Sequence, residues 1–196
     1  MLVSGSVTDI AALFLSRTGV VVAYPTETFY GLGAKISDKA AISKILVIKG
    51  RKASMGIIVL VADMDMACSI AYIDQNQREL LQKFWPGPLS AILQARKNMH
   101  SLLAPGGKVA LRISPHETAA CLVGAIGPIT STSANLTGKR PARTAQEVVA
   151  SGLELDGILD GGTTPGEQPS TLIDLTSWPP ACVREGAIPF QEILAK

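Results

Sequence analysis

Val20-Val21-Val22-Ala23-Tyr24 is an unbroken apolar run, rich in β-branched residues, that Pro25 brings to a stop. Runs without polar alternation belong to strands buried within a sheet, and proline cannot continue the hydrogen-bond ladder. The stretch from Ile57 to Ala62 repeats the pattern, and further strands are predicted at Leu89 to Ala95, Val109 to Ile113, Gly157 to Asp160, Thr171 to Leu175 and Ala181 to Arg184. Between them apolar residues return at helical spacing. Ile10, Ala11, Leu13 and Phe14 predict a helix from Asp9 to Ser16 with Gly19 as its C-cap, and Ala41, Ile42, Ile45, Leu46 and Ile48 predict one from Lys39 to Lys49 ended by Gly50. Helices are also predicted over Asp63 to Tyr72, Asn76 to Phe84, Glu117 to Val123 and Ala145 to Ala150, the last opened by the capping box Thr144-x-x-Glu147. Such interleaving defines an α/β or α+β chain, one layer of sheet with helices packed on it. Several strands follow one another too closely for helical crossovers, which predicts a mixed sheet.

Composition narrows the class. The chain has 196 residues, 47% hydrophobic and 17% charged, which predicts one ordinary domain with a real core and excludes a disordered chain. Its longest apolar runs fall far short of the roughly 20 residues that cross a bilayer, and the N-terminus lacks a basic segment followed by an apolar one. Three widely spaced cysteines, Cys68, Cys121 and Cys182, sit among apolar or small residues and are expected to be buried free thiols in a reducing cytoplasm. A net charge of +2 does not identify a nucleic-acid binder, but six cations against the single acid Asp38 between Lys35 and Lys52 form a local basic segment.

Three segments run out of regular structure into small polar and cationic residues: Pro25-Thr26-Glu27-Thr28, Lys49-Gly50-Arg51, and Ser131 through Arg143. Lys49 and Arg51 flank a glycine just past a helix. They can converge on a phosphate or carboxylate, or they can be solvated charges favoured by the helix C-terminus. Arg112 lies among aliphatics in Val109-Ala110-Leu111-Arg112-Ile113, and Arg184 follows Cys182-Val183 in the same way; each must pair structurally or meet a ligand. Ser131 to Pro141 reads equally as a ligand loop and as a polar turn. No Gly-x-x-x-x-Gly-Lys-Ser/Thr loop occurs, Gly31-x-Gly33 lacks a third glycine, and His100 and His116 do not form a metal pair.

Taken in order, Tyr24-Pro25-Thr26-Glu27-Thr28-Phe29-Tyr30-Gly31-Leu32-Gly33, Lys49-x-Arg51, Trp85-Pro86-Gly87-Pro88-Leu89, Val109-Ala110-Leu111-Arg112, Ser133-Ala134-Asn135-Leu136-Thr137-Gly138, Ser170-Thr171-Leu172-Ile173-Asp174 and Arg184-Glu185-Gly186 resemble the YrdC-type threonylcarbamoyl-AMP synthase family. The resemblance covers nearly the whole chain. It implies a single YrdC-like α/β twist domain over residues 1–196, a mixed twisted sheet with a concave basic face, and no additional C-terminal domain. It implies a cytoplasmic, ATP-dependent nucleotidyltransferase that makes threonylcarbamoyl-adenylate and pyrophosphate from L-threonine, bicarbonate and ATP, for N6-threonylcarbamoyladenosine in tRNA. It further implies Mg²⁺ carried by ATP without a dedicated protein metal site, a partner threonylcarbamoyl transferase, and direct tRNA or double-stranded RNA binding as an open possibility. The alternative within the same fold is a non-catalytic RNA-binding paralogue.

By the same resemblance, Lys49 and Arg51 are the catalytic cations facing the ATP phosphates and the carboxylated intermediate, and Ser133, Asn135, Arg143 and Arg184 join them in binding nucleotide. Thr26, Arg112 and Ser170 correspond to threonine-binding positions, with Tyr30 as a pocket wall. Carbamate formation and adenylyl transfer both build negative charge on oxygen, which fixed cations and backbone donors can stabilise without a covalent nucleophile. The chain departs from the family at Lys52-Ala53-Ser54-Met55, where a proline is usual, and at Leu60, where longer relatives carry a histidine.

Overall fold

A computed structural model describes residues 1–50, 56–97 and 99–195. The strands are β1 (Leu2–Ser4), β2 (Val22–Tyr24), β3 (Gly31–Gly33), β4 (Ile58–Leu60), β5 (Ala71–Tyr72), β6 (Leu89–Ala95), β7 (Lys108–Arg112), β8 (Ile129–Ser133), β9 (Gly157–Leu159), β10 (Thr171–Asp174) and β11 (Ala181–Arg184). The helices are α1 (Val7–Ser16), α2 (Lys39–Lys49), α3 (Met64–Ile70), α4 (Gln75–Phe84), α5 (Glu117–Ile126), α6 (Ala145–Ala150) and α7 (Phe190–Leu194). Among the described residues the strands form one sheet in the order β1-β9-β2-β3-β8-β4-β7-β6-β10-β11, with β5 added on β6. The sheet is mixed, as expected: β2–β9, β4–β7 and β6–β10 are parallel, whereas β2–β3, β3–β8, β4–β8 and β6–β7 are antiparallel.

Side chains alternate faces along each strand, and the registers carry one face across the whole sheet. Tyr24 stands opposite Gly31, Gly31 opposite Ser133, Ser131 opposite Ile58, Leu60 opposite Arg112, Ala110 opposite Ile92, Ser90 opposite Leu172, and Leu172 opposite Arg184. On the other face, Ala23, Leu32, Val59, Val109, Leu111, Ala91, Leu93 and Ile173 join a core with Ala41, Ile42 and Ile45 of α2, Ala67 and Ile70 of α3, Leu81 and Phe84 of α4, and Val148 of α6. The first face is covered only in part. Ile10 and Phe14 of α1 and Ala119, Leu122 and Val123 of α5 close over Val22, Tyr24, Leu60, Ile129 and Leu159. The half of that face beyond α1 and α5 stays open, and the site lies there.

Several local expectations are revised. Helix α1 ends at Arg17 in extended backbone, so Gly19, although at φ 74, is a turn glycine two residues further on and not the cap. Gly50 does cap α2 in left-handed geometry, with its N–H on Leu46 O and Val47 O. The Gly31-x-Gly33 segment is a strand, because β3 must pass beside Tyr24: a Cβ on Gly33 would stand 2.8 Å from the Tyr24 ring. The capping box at α6 is half formed; Thr144 Oγ1 accepts from Glu147 N at 3.1 Å, but the Glu147 carboxylate accepts from Arg143 N at 2.6 Å. The cysteines are free, yet Cys68 is half-buried and Cys121 and Cys182 are exposed. Apolar neighbours in sequence do not fix the facing of a helix residue or of one on an edge strand, and β11, which carries Cys182, ends the sheet.

Candidate functional site

The open half of the sheet is the floor of a cleft of about 530 Å³. Period-two spacing supplies that floor: Lys108, Ala110 and Arg112 from β7, Ser131 and Ser133 from β8, Ser170, Leu172 and Asp174 along β10, and Arg184 from β11. The walls come from the turn after β2, with Thr26, Thr28, Phe29 and Tyr30, and from Gly56, Leu103 and Pro105. The cleft thus mixes an apolar centre, Ile58, Ile92 and Leu172, with hydroxyls and three cations.

Arg112 is the buried cation, only 4% exposed. Its Nη2 donates to Ser131 Oγ at 3.1 Å and its Nη1 to Thr28 Oγ1 at 3.4 Å, while Nη1 also lies 3.2 Å from Glu27 Oε1. Nε of Arg112 is buried with no hydrogen-bond partner. Of the two sequence readings the structure shows the structural pairing, with the Glu27 carboxylate, and it also places the arginine in the lining of the cleft. Thr26 and Ser170 are also buried and line the cleft, with Thr26 Oγ1 donating to Phe29 O at 2.7 Å and Ser170 Oγ sharing a 2.9 Å hydrogen bond with Ser90 Oγ. Arg184 reaches across from β11, donating from Nη2 to Ser170 O at 2.7 Å and Ser170 Oγ at 3.2 Å. Tyr30 donates its hydroxyl to Gly162 O at 2.8 Å and accepts from Gly161 N at 3.2 Å. Burial pushes the Tyr30 phenol up to about 12, so it stays protonated as a donor at neutral pH.

Thr26, Tyr30, Arg112, Ser133, Ser170 and Arg184 are brought together in the cleft. Lys49 and Asn135 stand just behind Ser133 instead of in the lining. The Lys49 ammonium donates to Ser133 O, Asn135 O and Asn135 Oδ1, each at 2.7 Å, with Ser133 Oγ at 3.3 Å. Ser133 Oγ in turn donates to Asn135 Oδ1 at 2.6 Å, and Asn135 Nδ2 to Lys139 O. Lys49, at the end of α2, thus ties the loop after β8 to the helix, and Thr137 Oγ1 adds a hydrogen bond to Lys49 O. Arg143 is also outside the lining, with Nε on Thr164 O at 3.3 Å. Arg51, Lys52 and Met55 lie outside the described residues. The polar residues that were given no individual role in sequence include Thr28, Lys108, Ser131, Thr132 and Asp174 of the lining, and Glu27 paired with Arg112. Ser131 was legible by period two, because on β8 it must share the face of Ser133.

Among the described residues no group of three His, Cys, Asp or Glu side chains is placed to hold a metal ion, and no helix is long and apolar enough to cross a membrane.

Fold and cleft together define an α/β twist protein with a polar, cation-lined site on the open half of one sheet face. Residues 15–186 match the Sua5/YciO/YrdC family model, whose description is telomere recombination, and the chain belongs to that family. The threonylcarbamoyl-AMP synthase of Pyrococcus abyssi is 40% identical over 189 residues, which takes in 94% of this chain and 55% of the relative. The chain therefore spans about half that curated relative's length. The threonylcarbamoyl-AMP synthase of Idiomarina loihiensis is 38% identical over 166 residues, or 81% of this chain and 88% of the relative. Among solved structures, Pyrococcus abyssi Sua5 complexed with L-threonine matches with a TM-score of 0.89 at 34% identity, covering all of this chain and 59% of that one.

Proposed function

We propose that this chain is a threonylcarbamoyl-AMP synthase, converting L-threonine, bicarbonate and ATP into threonylcarbamoyl-AMP, pyrophosphate and water. The observation that carries the reading is the buried Arg112 guanidinium, ringed by the hydroxyls of Thr28 and Ser131 on the floor of a cleft. A forked donor of this kind suits a small carboxylate, and neighbouring hydroxyls suit a polar side chain. Thr26, Tyr30, Arg112 and Ser170 form the threonine end of the cleft. Ser133, Asn135, Arg143 and Arg184 are assigned to the nucleotide, and the family resemblance assigns Arg51 to its phosphates. The threonine nitrogen attacks the bicarbonate carbon, and loss of water leaves a carbamate. A carbamate oxygen then attacks the α-phosphorus, and the bond to the β,γ-diphosphate breaks to release pyrophosphate. Fixed cations lower the cost of the charge that gathers on the departing oxygens.

Lys49 belongs to this site as the cation that sets the Ser133–Asn135 loop, because its ammonium donates to three oxygens of that loop. Mg²⁺ enters with ATP, held through phosphates and water, a mode this ion favours over protein cages. The product is a reactive mixed anhydride, so a separate transferase must carry its threonylcarbamoyl group to tRNA adenosine in the cytoplasm. Pyrophosphate release measured with each substrate omitted in turn tests the reading. Release must require both threonine and bicarbonate; equal release without threonine, or none in the complete mixture, refutes it.

A further inference from the structure

Glu27 stands between Thr26 and Thr28, which line the cleft, yet is not itself part of the lining. Its side chain is turned behind Arg112, with 12% exposed against 5% for the arginine side chain. One carboxylate oxygen, Oε2, accepts from Ser114 Oγ, and the other, Oε1, lies 3.2 Å from Arg112 Nη1 and is sealed from solvent. Ser114 is two residues past Arg112 and accepts from His116 N at 3.2 Å, so the segment that carries the arginine also anchors its counter-ion.

We propose that Glu27 is a positioning residue for the threonine site: held by Ser114, its carboxylate keeps the Arg112 guanidinium folded against Thr28 and Ser131, in the orientation that meets the substrate carboxylate. The inference rests on the synthase reading. A guanidinium buried this deeply is stable only with an anion beside it. Without Glu27 the arginine is an uncompensated charge, and the arrangement that relieves it is rotation toward the cleft, away from its two hydroxyl partners. Arg112 would then recruit whatever anion is in solution. In the wild type the Arg112–Glu27 pair is neutral and its fork already aimed, so selectivity for an amino-acid carboxylate comes from orientation more than from the charge of that arginine.

Glu27→Gln keeps the shape of the side chain and removes the charge. In the full chain, the KM for threonine should rise at least about tenfold while the KM for ATP stays within about twofold. Added chloride or inorganic phosphate should raise the variant's threonine KM further and leave the wild type's unchanged, a response that loss of packing alone does not produce. Ser114→Ala should move threonine KM in the same direction by less, and the double variant should be no worse than Glu27→Gln. If Glu27→Gln does not fold, Ser114→Ala carries the test through the same split between threonine and ATP. A threonine KM within about twofold of wild type, equal rises for both substrates, or additive effects overturn the inference and leave the synthase reading intact. A wild-type chain that neither binds L-threonine by calorimetry nor shows threonine-dependent pyrophosphate release overturns both.

Discussion

Replacing Lys49 with methionine isolates the ammonium from its stem, because methionine preserves most of the chain's length and volume. The stem is buried, at 4% residue exposure, and the ammonium sits against Ser133 O, Asn135 O and Asn135 Oδ1. Two of these oxygens keep another donor in the variant: Ser133 O retains Asn135 N at 2.9 Å, and Asn135 Oδ1 retains Ser133 Oγ at 2.6 Å. Asn135 O loses its charged donor inside the protein. One charge-assisted hydrogen bond contributes about 1.5–3 kcal/mol, and stranding a buried acceptor adds about 1–3 kcal/mol, so the loss is about 2.5–6 kcal/mol in all. At roughly 2–4 °C per kcal/mol for a chain of this size, Tm should fall by roughly 5–24 °C in scanning calorimetry. The loop change should also raise the KM for ATP. Lys49→Arg should not restore it, because a planar guanidinium cannot direct three bonds to converging oxygens as an ammonium does. A Lys49→Met chain with Tm within about 2 °C of wild type and an unchanged KM for ATP would refute the loop-tying role.

Other expectations follow from the same geometry. Arg112→Lys, which keeps the charge but not the fork, should raise the threonine KM by about 100-fold, equivalent to about 2.7 kcal/mol; a normal KM in steady-state assays would remove Arg112 from the substrate carboxylate. Gly33→Ala places a methyl 2.8 Å from the Tyr24 ring and should cost about 1–3 kcal/mol in urea unfolding, against a smaller effect for Gly31→Ala, whose Cβ would meet Ser131 Oγ at 3.4 Å. At Asp156, burial raises the carboxyl's pKa, but the Val21 amide, Lys44 and Arg17 outweigh that and hold it below its ordinary value. The stabilisation is present above the unfolded pKa of about 3.9 and is lost as pH falls through the lower folded value. The Tm gap between wild type and Asp156→Asn should therefore close in that acid window; a gap independent of pH would contradict this.

Much of this architecture was written in local pattern. The run from Val20 to Tyr24 is wholly buried because helices cover both of its faces, Val22 and Tyr24 meeting α1 and α5 and Val21 and Ala23 meeting the other core. Helix α2 spans Lys39–Lys49 with Gly50 as its cap, as its periodicity predicted. Strand β1 and helix α7 were not foreseen, since three and five residues are too short to display a period. The site was legible as a set of segments but not as a geometry. Nothing local announces that Glu27 turns away from the cleft to which Thr26 and Thr28 turn, or that the Lys49 ammonium is directed onto the loop of Ser133 and Asn135. Those facts depend on contacts between residues 84 to 87 positions apart in sequence.

In the proposed reaction one cleft joins the amino group of threonine, the carbon of bicarbonate and the adenylyl group of ATP. Incubation of the chain with isotopically labelled bicarbonate, L-threonine and Mg-ATP, followed at once by chromatography and mass spectrometry, tests it most directly. The expected result is a single product that carries the bicarbonate carbon, threonine and AMP together, formed in step with pyrophosphate. Pyrophosphate formed with no label in an adenylate product, or an adenylate of threonine without the bicarbonate carbon, would contradict it.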